Sequence, residues 1–169
     1  VEQQLVRWKV PGASVALVKD GQVILARGYG LRDLEKKLPM TADTVQPIAS
    51  VTKSFTVTAL ATLVRDGRIE WDKPVREVLP DFRLHSEYAT QTVTLRDLVT
   101  HRTGLPRHDF IRYSTYLSRE ELVRRVRFFE PNRTFREAYQ YNNLMYVTAG
   151  YLGGVLAGLV HASGLTRAD

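Results

Sequence analysis

The sequence predicts a mixed α and β fold, in which an antiparallel hairpin precedes a series of helices. Two apolar segments, 13–18 and 22–27, flank Asp20-Gly21, a dipeptide typical of two-residue hairpin turns. An apolar run follows Ser50 and ends at Gly67, and glycine is common where a helix ends. A second apolar run, 144–159, is long enough to form a further helix.

Residues 1–70 hold the hairpin and the first long helix. The chain begins with an amphipathic segment around Leu5 and Trp8, which favours a short helix. Residues 33–44 are mostly polar and predict a connection, and Gln46-Pro47-Ile48-Ala49 is a turn-like run that leads into Ser50. The helix after Ser50 is typical of a buried central helix, because most of its side chains are apolar: Phe55, Val57, Ala59, Leu60, Leu63 and Val64.

Residues 71–169 predict a helical region, which we take as the second domain. Thr94 is expected to cap a helix that runs to His101 and is stopped by Gly104 and Pro106. Ser118 and Glu121 form a capping-box pattern for a helix to about residue 127. Residues 131–138 predict a loop, after which Asn143 is expected to cap the helix over 144–159.

Composition excludes several classes of function. The net charge is +6, but the arginines between Arg119 and Arg136 are mixed with Glu120, Glu121 and Glu130. This mixture favours a solvated helix face over a nucleic-acid surface. No apolar run approaches the roughly 18 residues of a membrane span. The chain has no cysteine, and His85, His108 and His161 lack metal-ligand spacing. We therefore expect no nucleic-acid partner, no membrane span and no metal.

The chemistry-bearing motif is Ser50-Val51-Thr52-Lys53, at the start of the first long helix. Residues three apart lie on one helix face, so Lys53 can reach the Ser50 hydroxyl. Serine is a weak nucleophile until a base takes its proton, and lysine can take it only in its neutral form. A single motif of this kind can occur by chance. Taken alone, Tyr141 is equally consistent with an aromatic residue of the hydrophobic core. Together with the Tyr141-Asn142-Asn143 sequence, however, the motif predicts a serine acyl-transfer enzyme.

These motifs follow one another in an order that resembles the superfamily of serine β-lactamases, penicillin-binding proteins and esterases. The resemblance is greatest to the branch of class C β-lactamases, D-aminopeptidases and esterases, and it runs from about residue 10 to about residue 158. It rests on Pro11-Gly12-Ala13-Ser14-Val15-Ala16, Lys19-Asp20-Gly21, Gly28-Tyr29-Gly30, Ile48-Ala49-Ser50-Val51-Thr52-Lys53, Leu98-Val99-Thr100-His101-Arg102-Thr103-Gly104-Leu105 and Tyr141-Asn142-Asn143.

The resemblance implies a β-lactamase/transpeptidase-like fold, in which helices flank an antiparallel sheet beside an all-helical region. It also implies a short strand around 44–46 and a structural role for His101, which packs a helix end. A periplasmic or secreted bacterial protein is favoured by the same resemblance.

The resemblance also implies an acyl-enzyme mechanism. Ser50 attacks an acyl carbonyl, and Lys53, neutral or sharing a proton with Tyr141, accepts the serine proton. Tyr141 then passes a proton to the leaving group, while Asn143 holds Lys53 and the substrate amide. The backbone N–H of Ser50 is one oxyanion donor. The expected substrate is a small molecule or peptide, namely a β-lactam, a D-amino-acid peptide or an ester, and no cofactor is implied.

The third motif of the family, Lys-Thr-Gly or His-x-Gly, is absent from the sequence, and the tail after Gly158 departs from the family pattern. We therefore expect the C-terminal strands to be missing, as in a chain truncated before that motif. A lone hairpin is marginally stable, so a complementary segment or self-association is expected to complete the sheet. The alternative functions are a non-catalytic binding or assembly module, or an inactive fragment of such an enzyme.

Overall fold

The computed structural model describes residues 1–113 and 116–159 of the chain. The chain divides into two compact units, Val1–Ala49 and Ser50–Asp169. The domain division after residue 70, expected from the sequence, stays a prediction. The tail that departs from the family pattern lies, from residue 160 onward, outside the described residues.

The first unit contains helix α1, Glu2–Trp8, and three strands, β1 (Gly12–Lys19), β2 (Gln22–Asp33) and β3 (Leu38–Pro39). The strands form an antiparallel sheet in the order β1-β2-β3. Asp20 and Gly21, in the turn, have φ values of 50° and 75°, as expected for a hairpin turn in which both central residues are left-handed. The predicted hairpin is therefore confirmed.

Strand β2 is longer than the segment 22–27 predicted from the sequence, because it continues through Gly28 and Gly30 to Asp33. A Cβ atom on Gly28 would lie 2.3 Å from the backbone oxygen of Met40. Only glycine permits this close approach of two backbones.

The expected short strand around 44–46 is wrong. The third strand is Leu38–Pro39, which pairs with Leu31 and Asp33 of β2 inside the segment taken as a polar connection. The Thr41 N–H donates to Thr44 Oγ1 at 2.9 Å. A turn therefore occupies residues 42 and 43, and residues 44–46 form no strand.

The second unit contains six helices among the described residues: α2 (Thr52–Arg65), α3 (Glu87–Thr92), α4 (Leu95–Val99), α5 (Asp109–Tyr113), α6 (Arg119–Arg125) and α7 (Asn143–Leu156). Helix α7 lies at the centre and packs against α2, α4 and α6. Its side chains and those of its neighbours form the core, in which the largest fully buried residues are Leu60, Leu95, Leu98, Leu144, Met145 and Leu152. None of the described helices is long and apolar enough to cross a bilayer.

The structure confirms the predicted N-cap at Thr94, which forms a capping box with Asp97, and the predicted capping box of Ser118 with Glu121. Helix α4 ends at Val99, and α6 passes into a 3-10 turn over Val126–Phe128.

The cap of helix α7 lies one residue earlier than expected. Its N-cap is Asn142 rather than Asn143, because the Met145 N–H donates to Asn142 Oδ1 at 3.1 Å. Asn143 is therefore the first helical residue, and its side chain is available for a different contact.

The expectation that α2 is a buried central helix is wrong for the described chain. Leu60 alone is buried among its residues, whereas Phe55 is 64% exposed. Helix α2 packs on α7 through one face, where Gly153 allows Leu60 to approach closely. The apolar side chains of the opposite face have no such neighbour among the described residues of this unit.

Candidate active site

Ser50 and Lys53 are brought together where α2 begins. Ser50 lies in a 3-10 turn, Ala49–Val51, and Lys53 is the second residue of the helix that follows. Lys53 Nζ donates to Ser50 Oγ at 3.2 Å, which is the contact that the three-residue spacing predicts. Ala49 has a φ of 46°, a left-handed conformation that residues with a Cβ atom rarely adopt. Backbone of this kind is often found at functional sites.

Tyr141 and Asn143 approach the same point from the start of α7. Tyr141 Oη lies 2.5 Å from Ser50 Oγ. Asn143 is 5% exposed, and its Oδ1 accepts a hydrogen bond from Lys53 Nζ at 2.6 Å. The four site residues predicted from the sequence therefore form one continuous cluster, with Ser50 in contact with both Lys53 and Tyr141.

Two aromatic rings flank the Lys53 ammonium. Its nitrogen lies 4.7 Å from the ring centre of Tyr141 and 5.1 Å from that of Tyr146, distances at which an aromatic face attracts a cation. Tyr146 is held in place because its hydroxyl donates to the Val99 carbonyl at 2.9 Å. Among the described residues, no carboxylate lies within ion-pair distance of Lys53.

These neighbours lower the pKa of Tyr141. The largest cause is a side-chain hydrogen bond with Lys53, and the hydrogen bond with Ser50 is the next. The charges of Lys53 and Arg107 act in the same direction, while the slight burial of the phenol opposes them. Each favourable contact stabilises the phenolate relative to the phenol. Tyr141 is therefore a stronger candidate for a base than an ordinary tyrosine.

His101 supports the segment that carries Tyr141. Its Nδ1 accepts a hydrogen bond from the Asn142 N–H at 3.0 Å, and its carbonyl accepts one from the Gln140 N–H at 2.7 Å. Its ring lies 4.6 Å from that of Tyr141. Burial, followed by the charge of Lys53, lowers the pKa of His101. A neutral imidazole that accepts a backbone hydrogen bond fits the structural role expected from the sequence.

The cluster extends beyond the residues found from the sequence. Asn143 Nδ2 donates to Asp109 Oδ1 at 2.8 Å, and Arg107 Nε donates to Asp109 Oδ2 at 2.7 Å. The Arg107 guanidinium also lies 5.0 Å from the ring centre of Tyr141. Tyr146 was identifiable in principle, because it lies three residues after Asn143 on the same face of α7. Arg107 and Asp109 belong to no recognisable motif.

The arrangement offers a nucleophile beside two candidate proton acceptors. A proton can pass from Ser50 Oγ over a single hydrogen bond to the phenolate form of Tyr141 or to the neutral amine form of Lys53. The Ser50 N–H lies at the start of a helix, where the helix dipole favours developing negative charge. No group of His, Asp and Glu side chains in the described part of the chain is arranged to hold a metal ion.

The chain is similar to known proteins over nearly its whole length. It is 40% identical over 167 residues to "Unguisins hydrolase ungD'" of Aspergillus campestris, covering 94% of this chain and 31% of the relative. Among solved structures, it matches an octameric penicillin-binding protein homologue from Pyrococcus abyssi (TM-score 0.79, 30% identity, 92% of this chain, 37% of that chain).

It also matches D-amino acid amidase from Ochrobactrum anthropi (TM-score 0.77, 30% identity, 93% of this chain, 43% of that chain). The chain thus spans about a third of the curated relative and less than half of either solved structure. The β-lactamase-like fold expected from the sequence is confirmed by these matches. The family described as Beta-lactamase matches residues 1–160 of the chain. The chain therefore belongs to the Beta-lactamase family, within the serine hydrolase superfamily.

Proposed function

We propose that this chain carries the nucleophile and proton-transfer residues of a serine hydrolase that acts through an acyl-enzyme on Ser50. The observation that carries the proposal is the placement of Ser50 Oγ, 2.5 Å from Tyr141 Oη and 3.2 Å from Lys53 Nζ. A nucleophile within hydrogen-bond reach of its base, which is oriented by a third group, is the arrangement that activated serines need.

The first half of the reaction forms the acyl-enzyme. Ser50 Oγ attacks the acyl carbonyl carbon while its proton moves to the phenolate oxygen of Tyr141. The resulting tetrahedral oxyanion is stabilised by the Ser50 N–H. Collapse of this intermediate breaks the bond to the leaving nitrogen or oxygen, which takes the proton from the Tyr141 hydroxyl. Water then releases the acyl group through the same steps in reverse, so that Ser50 and Tyr141 return to their starting forms.

The proposed role of Lys53 differs from the one inferred from the sequence. The lowered pKa of Tyr141 favours its phenol oxygen as the acceptor of the serine proton. Lys53 is then the cation that stabilises the phenolate, and Asn143 Oδ1 holds that cation at 2.6 Å. The rings of Tyr141 and Tyr146 on either side of the ammonium fit the same role.

We propose an amide bond in a compound that contains a D-amino acid as the first substrate class. The support comes from one structural neighbour, which is named a D-amino acid amidase. Esters and β-lactams need the same four residues and are the other candidates. The test compares turnover of a D-amino acid amide, its L enantiomer, an activated ester and a chromogenic cephalosporin by protein that contains this chain.

The matched variants are Ser50→Ala, which removes the nucleophile, and Ser54→Ala in the same helix. The exposed Ser54 hydroxyl donates to the Val51 carbonyl and takes no part in the proposed chemistry. Turnover that is lost in Ser50→Ala and kept in Ser54→Ala supports the proposal. Equal activity in both variants overturns it.

The second candidate is a binding or assembly module that recognises such compounds without turning them over. It is favoured by the exposed position of Ser50 and by the small fraction of the relatives' length that the chain spans. A module of this kind binds the substrate reversibly, and its affinity is the same in the wild type and in Ser50→Ala.

We further propose that a complementary segment, or a second copy of the chain, completes the sheet of the first unit. Within the described residues, β1 pairs with β2 alone, so its outer edge is open. Large apolar side chains are exposed on these strands, namely Leu17, Val18, Val23 and Ile24. An open apolar edge is a template for a further strand.

A further inference from the structure

We propose that Asp109 is a positioning residue that fixes the side-chain amide of Asn143 with its oxygen toward Lys53. This inference rests on the proposed function, since Lys53 matters for catalysis only if Ser50 is the nucleophile. It assigns a part in the site to a residue outside the two motifs.

The hydrogen-bonding capacities of the three side chains determine the orientation of the amide. Lysine has only donors, and an ionised carboxylate has only acceptors. Asn143 lies between them, with Oδ1 at 2.6 Å from Lys53 Nζ and Nδ2 at 2.8 Å from Asp109 Oδ1. If the amide turned by half a rotation, its NH₂ group would face the ammonium and its oxygen would face the carboxylate. Both hydrogen bonds would then become repulsive contacts.

Asp109 is itself held by Arg107. Its second carboxylate oxygen accepts from Arg107 Nε at 2.7 Å, which leaves Oδ1 directed at Asn143. The Asp109 side chain is only 21% exposed, so water competes weakly for it. Because Arg107 also lies over the ring of Tyr141, the Arg107–Asp109 pair connects the two sides of the site, the Asn143 side and the Tyr141 side.

Asp109 therefore helps to balance the positive charge of Lys53 without contacting Lys53 directly. Lys53 has no carboxylate at ion-pair distance among the described residues, and its charge is met by the Asn143 carbonyl dipole. The dipole is oriented by Asp109 on its other end. Loss of Asp109 lets the amide rotate, and the ammonium is then no longer fixed beside Ser50 and Tyr141.

The test measures the rate at which Ser50 is acylated by an activated ester in three variants. Asp109→Ala removes both charge and acceptor, and we expect a loss of about tenfold to a hundredfold, by analogy with residues that orient the ligands of a metal site. Asp109→Asn retains an acceptor oxygen for Asn143 and is expected to recover most of that rate. Asp72→Ala is the matched control, because it breaks the exposed Asp72–Arg96 pair, which lies outside the site.

A double-mutant cycle separates positioning from a general structural role. If Asp109 acts through Asn143, then adding Asp109→Ala to Asn143→Ala lowers the rate little further. A loss as large in the Asn143→Ala background as in the wild type overturns the inference. So does a wild-type rate in Asp109→Ala.

A readout that needs no activity distinguishes failure of this inference from failure of the proposed function. The side-chain NH₂ of Asn143 is expected to exchange with solvent slowly in the wild type and in Asp109→Asn, and faster in Asp109→Ala, by NMR. If wild-type Ser50 is not acylated, the proposed function fails. The exchange rate then tests by itself whether Asp109 holds the Asn143 amide. Unchanged exchange in folded Asp109→Ala overturns the inference.

Discussion

At the scale of single residues, the distribution of charge around Ser50 determines which group accepts its proton. Lys53 and Arg107 place two cations near the Tyr141 ring, whereas the only carboxylate described in this cluster, Asp109, is paired with Arg107 and Asn143. Phenolate is stabilised in such surroundings. Tyr141 is therefore expected to carry the proton between the serine and the leaving group.

Replacing Tyr141 by Phe removes the proposed proton acceptor while keeping the ring that contacts Lys53 and His101. We expect the acylation rate of Ser50 to fall by about a hundredfold to ten-thousandfold, the usual contribution of general acid–base catalysis. Quenched-flow mass spectrometry measures that rate directly. A loss of less than a few-fold would show that Lys53 accepts the proton instead.

The pH dependence of acylation follows from the lowered pKa of Tyr141. Since the phenolate is the reactive form, the rate rises as pH increases through that pKa, below the ordinary value of about 10. Lys53→Gln removes the largest cause of the shift, so the pKa of Tyr141 moves back up and the rate rises at higher pH.

Absorbance titration of the tyrosinate measures the pKa of Tyr141, and the acylation rate measured over a range of pH gives the pH dependence of the reaction. Arg107→Gln is the control, because Arg107 is the smallest of the named contributions and its removal is expected to give a smaller shift. If the pH dependence of acylation is the same in Lys53→Gln as in the wild type, Lys53 is not the main cause of the lowered pKa of Tyr141.

The sequence was sufficient for the Ser50–Lys53 contact, because helix geometry alone brings residues three apart together. Tyr141 and Asn143 lie about 90 residues away, and only the resemblance to a family connected them to Ser50. Asp109 and Arg107 were not predicted, because their position depends on the path of the chain after Pro106. No local pattern encodes that path.

At the scale of secondary-structure elements, the start of α7 positions the site. Asn142 is fully buried. It caps the helix through Oδ1 and donates from Nδ2 to the carbonyls of Pro106, at 2.7 Å, and Leu105. One side chain thus joins the helix to the segment that leads to Arg107 and Asp109. The flanking residues Tyr141 and Asn143 are placed by this junction.

Asn142→Ala is expected to destabilise the second unit by about 2 kcal/mol or more. Loss of an N-cap costs about 1 kcal/mol, and the buried carbonyls left without a donor add to it. The control is Ser118→Ala, which removes the cap of α6 at an exposed position and is expected to cost about 1 kcal/mol. Urea unfolding followed by circular dichroism gives both values, and equal losses in the two variants contradict the junction role.

Element boundaries show which sequence signals were decisive. The Asp20-Gly21 turn, the cap at Thr94 and the capping box at Ser118 were predicted correctly, because each is fixed by contacts between neighbouring residues. The start of α7 was displaced by one residue, since Asn142 and Asn143 are equally good caps by type and only tertiary contacts separate them. Strand β3 was missed, because two residues, Leu38 and Pro39, carry no periodicity.

At the scale of the whole molecule, the helical unit is held together around the buried Asp97 carboxylate. It accepts hydrogen bonds from Arg102 Nε at 2.5 Å, from Arg136 Nη2 at 2.7 Å and from the Thr94 N–H at 2.9 Å. These contacts tie helix α4 to the loop that precedes Tyr141. Burial alone would raise the pKa of Asp97, but the hydrogen bonds outweigh it and lower the pKa.

A lowered folded-state pKa makes stability depend on pH. The contribution of Asp97 is fully present above its unfolded pKa of about 3.9 and is lost as the pH falls through the lower folded value. Asp97→Asn removes this contribution and is expected to cost about 1 to 3 kcal/mol near neutral pH. Urea unfolding at a series of pH values measures it.

The variant is expected to lose less stability on acidification than the wild type does. Asp72→Asn, at an exposed ion pair with Arg96, is the control and is expected to behave like the wild type near neutral pH. If the free energy of unfolding falls equally with decreasing pH in the wild type and in Asp97→Asn, the ionised Asp97 carboxylate does not stabilise the fold as proposed.

Completion of the sheet is also a property of the whole molecule. The open edge of β1 and the exposed apolar face of α2 predict that the chain self-associates or gains stability from a complementary segment. Sedimentation and thermal melting, with and without the remaining part of a family member added in trans, measure this. A monodisperse monomer that melts cooperatively, and that gains no stability from the added segment, contradicts this prediction.

The burial of α2 could not be predicted correctly from the sequence. Its apolar side chains show that the helix can be buried, but they do not show whether another part of the protein is present to cover it.

The central claim, that Ser50 is an activated nucleophile, is tested most directly by intact mass after incubation with an activated ester or a penicillin. Folded protein, verified by circular dichroism, is expected to gain one acyl group, and peptide mapping is expected to place it on Ser50. The adduct disappears in Ser50→Ala and persists in Ser54→Ala. Folded protein that gains no adduct, or an adduct that survives in Ser50→Ala, contradicts the account.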